Sequence, residues 1–257
     1  MTRTTKTLRF IFLTLIICSN VHAETLLLKS DKWCPYVCNP NFSQSKQKGY
    51  AVEVAKVIFE RKGHNIDFQI DNWTNSIDSV RMGIAVGLVA TTKSDAPDFI
   101  YPKTSIGFNH DCFYVRAHDP WEFINIGSLK KKKIGIIESY AYSPELMSFI
   151  NENRQNAIKS YGDNPLQLNL KNLDDKKIDI LIENPSVFNY YTEGKKIRDH
   201  YEEAGCTSAD PLYIGFSPKN PRSKEFAKIL DLGIEELRKD GTLGKILQKY
   251  SLKDWSP

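Results

Sequence analysis

The sequence predicts an α/β protein built as two lobes. Short apolar runs alternate with segments of helical period from Thr25 to Ala90, the alternation restarts at Cys112, and from Ser223 the chain reads as helix. Strand, helix, strand is the order of a parallel sheet with covering helices, and two such units in succession suggest two lobes.

Thr25-Leu-Leu-Leu-Lys29 reads as a buried strand that enters the loop Trp33-Cys34-Pro35-Tyr36-Val37-Cys38 and then a polar stretch. Ala51, Val54, Ala55 and Ile58 recur at helical spacing, and Gly63 ends that helix. Ile66, Phe68 and Ile70 alternate as a strand. Asn72-Trp73 opens a short helix closed by Gly83, and Ala85–Ala90 is a third strand.

In the second unit, Cys112–Val115 is a strand bordered by long polar loops. Lys133–Ile137 is a strand entering a helix at Ser143-Pro144-Glu145, an N-cap followed by a first-turn proline. Asn169–Leu173 marks a helix end, Asp179–Ile182 a strand, Val187–Tyr191 a helix and Pro211–Phe216 the last strand. Phe226, Ile229, Leu230, Ile234 and Leu237 share one face of the helix that Ser223 caps. Gly241 breaks it before a second amphipathic piece ending at Tyr250.

The first residues set the expected compartment. Arg3, Lys6 and Arg9 precede a nine-residue apolar run, Phe10–Cys18, and Val21-His-Ala23 offers a small-residue cleavage site. This pattern predicts a signal peptide over residues 1–23 and export to the periplasm by the Sec route. The apolar run is too short to span a bilayer as a helix. Removing the three basic residues of the leader from 35 Lys and Arg leaves 32 against 31 acids, a charge of +1. That balance gives no footprint for nucleic acid. Lys130–Lys133, the one basic cluster, reads as a solvated turn ahead of a strand.

His64, His110, His118 and His200 are scattered, without metal or triad spacing, and neither a Gly-x-Ser-x-Gly nor a phosphate loop is present. We therefore expect no cofactor, no metal and no enzymatic activity. Cys34, Cys38, Cys112 and Cys206 remain after the leader, and an oxidising compartment favours disulfides. Four cysteines allow about three pairings. Cys34 with Cys38 is the simplest local one, leaving Cys112 with Cys206.

The ordered phrases of the chain resemble the periplasmic solute-binding proteins of the polar amino-acid ABC importers, bacterial extracellular family 3. They are Trp33-Cys34-Pro35-Tyr36, Gly49-Tyr-Ala-Val-Glu53, Trp73, Ala90-Thr-Thr-Lys93 with Phe99-Ile-Tyr-Pro102, Lys133-Ile-Gly-Ile-Ile-Glu-Ser139-Tyr140, Ile178-Asp179 through Glu183-Asn184, and Asp240-Gly-Thr-Leu with Lys249-Tyr250. The resemblance implies two α/β lobes joined by two crossover strands that close on ligand like a hinge. Lobe 1 would take 24–112 and 213–257, and lobe 2 would take 113–212.

It also implies a ligand set. Trp33 and Trp73 match aromatics that sandwich the ligand, with core packing as their alternative role. Tyr36 would be presented to the cleft beside Trp33 by a loop that Cys34–Cys38 stiffens. Lys93 stands where the family has a carboxylate-binding Arg, offering a point charge instead of a fork. Asn184 stands where the family has an amine-binding acid, and its neighbour Glu183 would point the other way on a strand. Ser139 and Tyr140 would begin a helix whose N-terminus cradles a carboxylate.

The expected function is capture of a small amino-acid-like or anionic solute by a monomer that delivers it to an ABC permease. The competing readings are a cyclic-acid dehydratase on the same fold and a binding protein that feeds a membrane receptor.

Overall fold

The computed structural model describes residues 24–40, 46–138 and 140–255 of the 257. The predicted leader and Ser139 lie outside them.

The described residues run through ten strands and seven α-helices: β1 (Thr25–Ser30), α1 (Tyr50–Arg61), β2 (Asn65–Ile70), α2 (Trp73–Arg81), β3 (Gly87–Thr91), β4 (Gly107–Asn109), β5 (Cys112–Arg116), β6 (Ile134–Ile137), α3 (Pro144–Glu152), β7 (Ala157–Ser160), α4 (Pro165–Asp174), β8 (Ile180–Glu183), α5 (Pro185–Lys195), β9 (Tyr201–Cys206), β10 (Asp210–Phe216), α6 (Ser223–Lys239) and α7 (Thr242–Gln248). They form two five-stranded sheets, ordered β2-β1-β3-β10-β4 and β7-β6-β8-β5-β9.

In the first sheet β1 pairs in parallel with β2 and β3, and β10 runs antiparallel between β3 and β4. Alternation along β1 divides the core. Leu26 and Leu28 face α1, α6 and α7 in one apolar cluster, while Leu27 packs with Val80, Leu88 and Trp73 in another. The stripe read at Phe226, Leu230, Ile234 and Leu237 is buried, as the helical period requires. A Cβ at Gly233 would sit 2.3 Å from Ile58, so α1 and α6 approach more closely there than any other residue permits.

The second sheet repeats the plan. β6 pairs in parallel with β7 and β8, and β5 runs antiparallel between β8 and β9. Phe113, Val115 and Ile134 pack towards α3, and Cys112, Tyr114 and Leu181 lie in the other cluster, with Leu170 and Leu173 of α4 and Phe188 of α5. Three strands escaped the sequence reading: β4, β7 and β9. β7 and β9 are edges, β4 and β7 are three and four residues long, and β9 carries two exposed glutamates. Short polar edges show no period-2 apolar pattern.

The chain passes between the sheets twice, at His110-Asp111 and at 207–209. The two passages are bonded to each other. Thr207 N–H donates to the Asp111 carbonyl at 2.9 Å, and Asp111 N–H donates to Thr207 Oγ1 at 3.1 Å. Beside them the Cys112–Cys206 disulfide joins β5 to β9.

Candidate functional site

A cleft lies between the two sheets, at the C-terminal ends of their parallel strands, where α/β proteins place their ligands. Its empty space is about 830 Å³, including the open mouth. β1 leads to Asp31 and Trp33, β3 to Thr92 and Asp95, β6 to Tyr140 and Tyr142, and β8 to Glu183 and Asn184. The passages contribute Asp111 and Thr207, and the adjoining ends of β4 and β10 contribute Asn109 and Asp210.

The Trp33–Cys38 loop is a tight turn. Trp33 and Val37 exchange two backbone hydrogen bonds of 2.9 Å, and a Cys34–Cys38 disulfide closes it. The loop also satisfies helix α1. Tyr50 N–H and Ala51 N–H, which have no partner within the helix, donate to the carbonyls of Pro35 and Tyr36 at 2.9 and 3.2 Å. Gly49 makes this possible, because its φ is 99° and a Cβ there would meet Tyr36 O at 2.3 Å.

Tyr36 does not line the cleft. It is buried, stacks on Trp33 with ring centroids 4.3 Å apart, and donates from its hydroxyl to Phe108 O at 2.9 Å. It faces a second cavity behind the passage, lined by Tyr50, His110 and Trp255. Its expected contact with solute is therefore corrected to a backing role. Burial pushes its phenol up to about 12, so it donates as a neutral group.

Trp33 does line the cleft and meets Tyr140 of the opposite sheet edge-on at 6.4 Å. Trp73 lines it too, from the first turn of α2. Asn72 caps that helix by accepting from Asn75 N–H at 2.8 Å. Trp73 also packs against the Val80–Leu88 cluster, so the core and site roles coincide in one side chain.

Lys93 stands outside the lining. Its side chain is exposed, with the ammonium 5.1 Å from the Tyr213 ring centroid. Ala90, three residues earlier, adopts a left-handed φ of 59°, and the β3–β10 register shifts opposite it. That bend costs a non-glycine residue about 1–2 kcal/mol and turns Thr92 and Asp95 towards the cleft. Asp95 then holds the turn, accepting from Thr92 N–H and Thr92 Oγ1, both at 2.8 Å.

Glu183 and Asn184 both line the cleft, against the alternation rule. The reason is that β8 ends at Glu183 and Asn184 is already the N-cap of α5, accepting from Ser186 and Val187 N–H. Its amide nitrogen donates to Asn109 Oδ1 at 3.0 Å. Asn184 is thus committed to holding the helix start against the passage. Glu183 is 1 % exposed; its Oε1 accepts from Asn184 N–H at 2.8 Å, while Oε2 has no partner within hydrogen-bonding distance. Burial raises its carboxyl to about 8, against the lowering effects of the Asn184 N–H and of the nearby Tyr140 and Trp33 polar groups, which approach it without closing a hydrogen bond. Trp33 Nε1 is likewise buried and unpartnered.

The helix start expected at Ser139 and Tyr140 falls further on. α3 begins at Pro144, and Tyr140 lies in the loop before it. The amide there is already taken: Ser143 N–H donates to Asp111 Oδ2 at 2.8 Å. The protein's own carboxylate occupies the place expected for an anion. The wall is acidic throughout, with Asp31, Asp95, Asp111, Asp210 and Glu183 and no Lys, Arg or His among the lining residues. An anionic solute would find no counter-charge there. Burial, with a smaller effect from nearby Asp95, raises Asp31 to about 6, and burial raises Asp111 as well. Asp31 directly follows β1, so the strand-end rule could have found it; Asp111 follows a strand too short to recognise.

The family model "Bacterial extracellular solute-binding proteins, family 3" matches residues 30–253. A comparison with curated protein sequences finds no match. Among solved structures, the chain is similar to a protein from work on glutathione import through the cystine ABC importer of Streptococcus mutans. Identity there is 17%, covering 91% of this chain and 99% of that one, with a TM-score of 0.71. A substrate-binding protein of an ABC uptake transporter from Streptococcus pneumoniae, with bound histidine, gives 15%, 90%, 94% and 0.69. A histidine kinase sensor domain similar to periplasmic binding proteins gives 17%, 89%, 96% and 0.65. At such identities these likenesses establish the two-lobed fold alone.

Proposed function

Because the chain belongs to the bacterial extracellular solute-binding proteins of family 3, we propose that it captures one small polar solute between two lobes and passes it to the permease of an ABC importer. The observation that carries this is the cleft itself, where strand ends of both sheets meet with aromatic and carboxylate side chains. Pockets of this size suit one small molecule. We take the chain up to Asn109 and from Asp210 on as one lobe and Cys112–Cys206 as the other, with His110-Asp111 and 207–209 as the hinge, so the expected boundaries at 112 and 213 each move three residues towards the N-terminus. Contacts already join the two lobes: Lys32 Nζ donates to Asp163 O at 2.8 Å and Tyr190 donates to Gln47 Oε1 at 3.1 Å.

The two disulfides fit an oxidising compartment, in keeping with export of residues 24 onward after cleavage of the leader. The matched family is one of solute-binding proteins and the Streptococcus pneumoniae relative is a substrate-binding protein, which supports a non-catalytic role. A receptor in the membrane is the second reading, favoured by the sensor domain that shares the fold.

Intact-protein mass spectrometry under native conditions tests the capture: a small molecule should leave the purified protein on partial unfolding. Small-angle scattering should then show a more compact particle with solute than without. Uptake of that solute by cells lacking this protein separates the partners. Lost uptake supports the importer, and unchanged uptake with a lost transcriptional response supports the receptor.

A further inference from the structure

The chemistry of the cleft narrows the class of solute. Five carboxylates line it without a single basic side chain among the lining residues. An acidic wall alone would be ordinary, but of its two buried members Asp111 is bonded to Ser143 N–H, while Glu183 Oε2 is an acceptor with no hydrogen-bond partner. A buried acceptor without a partner, on a side chain that lines the cleft, asks for a donor from the ligand. Trp33 and Trp73 enter from one sheet and Tyr140 from the other, and aromatic faces attract cations. The two positions expected to hold a ligand carboxylate are turned away or filled. Lys93 is turned onto Tyr213, and the Ser143 amide is bonded to Asp111.

We propose that the cleft takes a small organic cation without a free carboxylate, an amine or guanidinium. Its charge meets Glu183 and Asp31, and its carbon body lies against Trp33, Trp73 and Tyr140. This rests on the solute-capture reading and sharpens it. A zwitterionic amino acid would bring its own carboxylate against Asp31, Asp95 and Asp111, where nothing compensates it. A solute without a hydrogen-bond donor would leave the buried Glu183 Oε2 unpartnered.

The test uses the full exported chain, stripped of ligand by partial unfolding and refolding, with titration calorimetry of agmatine, putrescine, arginine, glutamine and glutamate. Agmatine and arginine share a guanidinium and differ by the carboxylate. The tighter of agmatine and putrescine is expected to bind at least tenfold more tightly than arginine, with no binding of glutamate. Glu183→Gln should weaken that cation at least tenfold while the melting temperature holds or rises. Arginine, glutamine or glutamate binding more tightly than either amine, or a Glu183→Gln protein that binds the amine unchanged, overturns the cation class and leaves solute capture standing. If none of the five binds, native mass spectrometry of the freshly purified chain decides. A retained species with net positive charge supports the proposal, and a neutral or acidic one overturns it. No retained species removes both readings.

Discussion

The carboxylate of Asp111 accepts a hydrogen bond of 2.8 Å from Ser143 N–H, just ahead of α3. It therefore caps a helix from another element, because the Ser143 hydroxyl makes no cap bond of its own. Asp111→Ala leaves that amide without a partner and should cost about 1–2 kcal/mol. Asp111→Asn keeps an acceptor and sheds a carboxyl that burial already disfavours as an anion, so it should be tolerated. Urea denaturation of both variants measures this, and equal losses would show that the bond does not hold the helix start.

Trp33 and Tyr36 stack at 4.3 Å, yet only Trp33 lines the cleft. Trp33→Ala should weaken solute binding at least tenfold, since an aromatic wall contributes about 1 kcal/mol or more beyond its buried area. Tyr36→Phe keeps the stack and loses the bond to Phe108 O, so it should cost about 1 kcal/mol of stability with little change in affinity. Calorimetry and denaturation of the same two proteins separate wall from backing.

Much of the fold was legible. Long elements with a clear period, such as the Phe226–Leu237 stripe, lie where the spacing puts them, because burial of one face enforces the period. The site was legible in part. Trp33, Trp73, Tyr140 and Glu183 do meet at the cleft, whereas Tyr36 and Lys93 do not line it. What failed was direction. Periodicity orders residues along an element and says nothing about a loop after a left-handed residue such as Ala90. Asp111 shows a second limit, since its side chain is consumed by a helix amide that only tertiary structure brings near, whereas the Asn184 side chain is consumed locally as the cap of α5. The acidity of the cleft was hidden for the same reason: its five carboxylates lie far apart in sequence, from Asp31 to Asp210.

The two disulfides should behave differently. Cys112–Cys206 closes a chain separation of 94 residues and Cys34–Cys38 one of 4. The loop-entropy argument gives about 4–5 kcal/mol for the long closure and little for the short one. Cys112→Ala with Cys206→Ala should therefore lower stability by about 2–5 kcal/mol. Cys34→Ala with Cys38→Ala should cost less than about 1 kcal/mol and act on affinity, by freeing the loop that carries Trp33. Denaturant midpoints and calorimetry on each double variant test the contrast. Equal stability losses would contradict it.

The buried Glu183 gives the empty protein a pH dependence of defined sign. Its carboxyl rises from an ordinary 4.5 to about 8 in the folded state, chiefly through burial. Asp111, Tyr140, Tyr142 and Tyr36 face it electrostatically, and none of them is a cation. Between those two values the folded chain holds a proton that the unfolded chain has released. Stability must then fall as pH rises through that window, the reverse of a salt-bridged acid. Asp31 adds the same sign between 3.8 and about 6. The ligand-free protein should thus melt at a lower temperature at pH 8 than at pH 5.5. Glu183→Gln, which carries no titrating group, should flatten most of the slope above pH 6. A cationic solute would reverse the trend in binding, since it stabilises the ionised carboxylate. Affinity for agmatine should rise, and proton release on binding should appear, between pH 6 and about 8. Calorimetry in two buffers of different ionisation enthalpy measures that release, and proton uptake in its place would show that Glu183 does not face the bound charge.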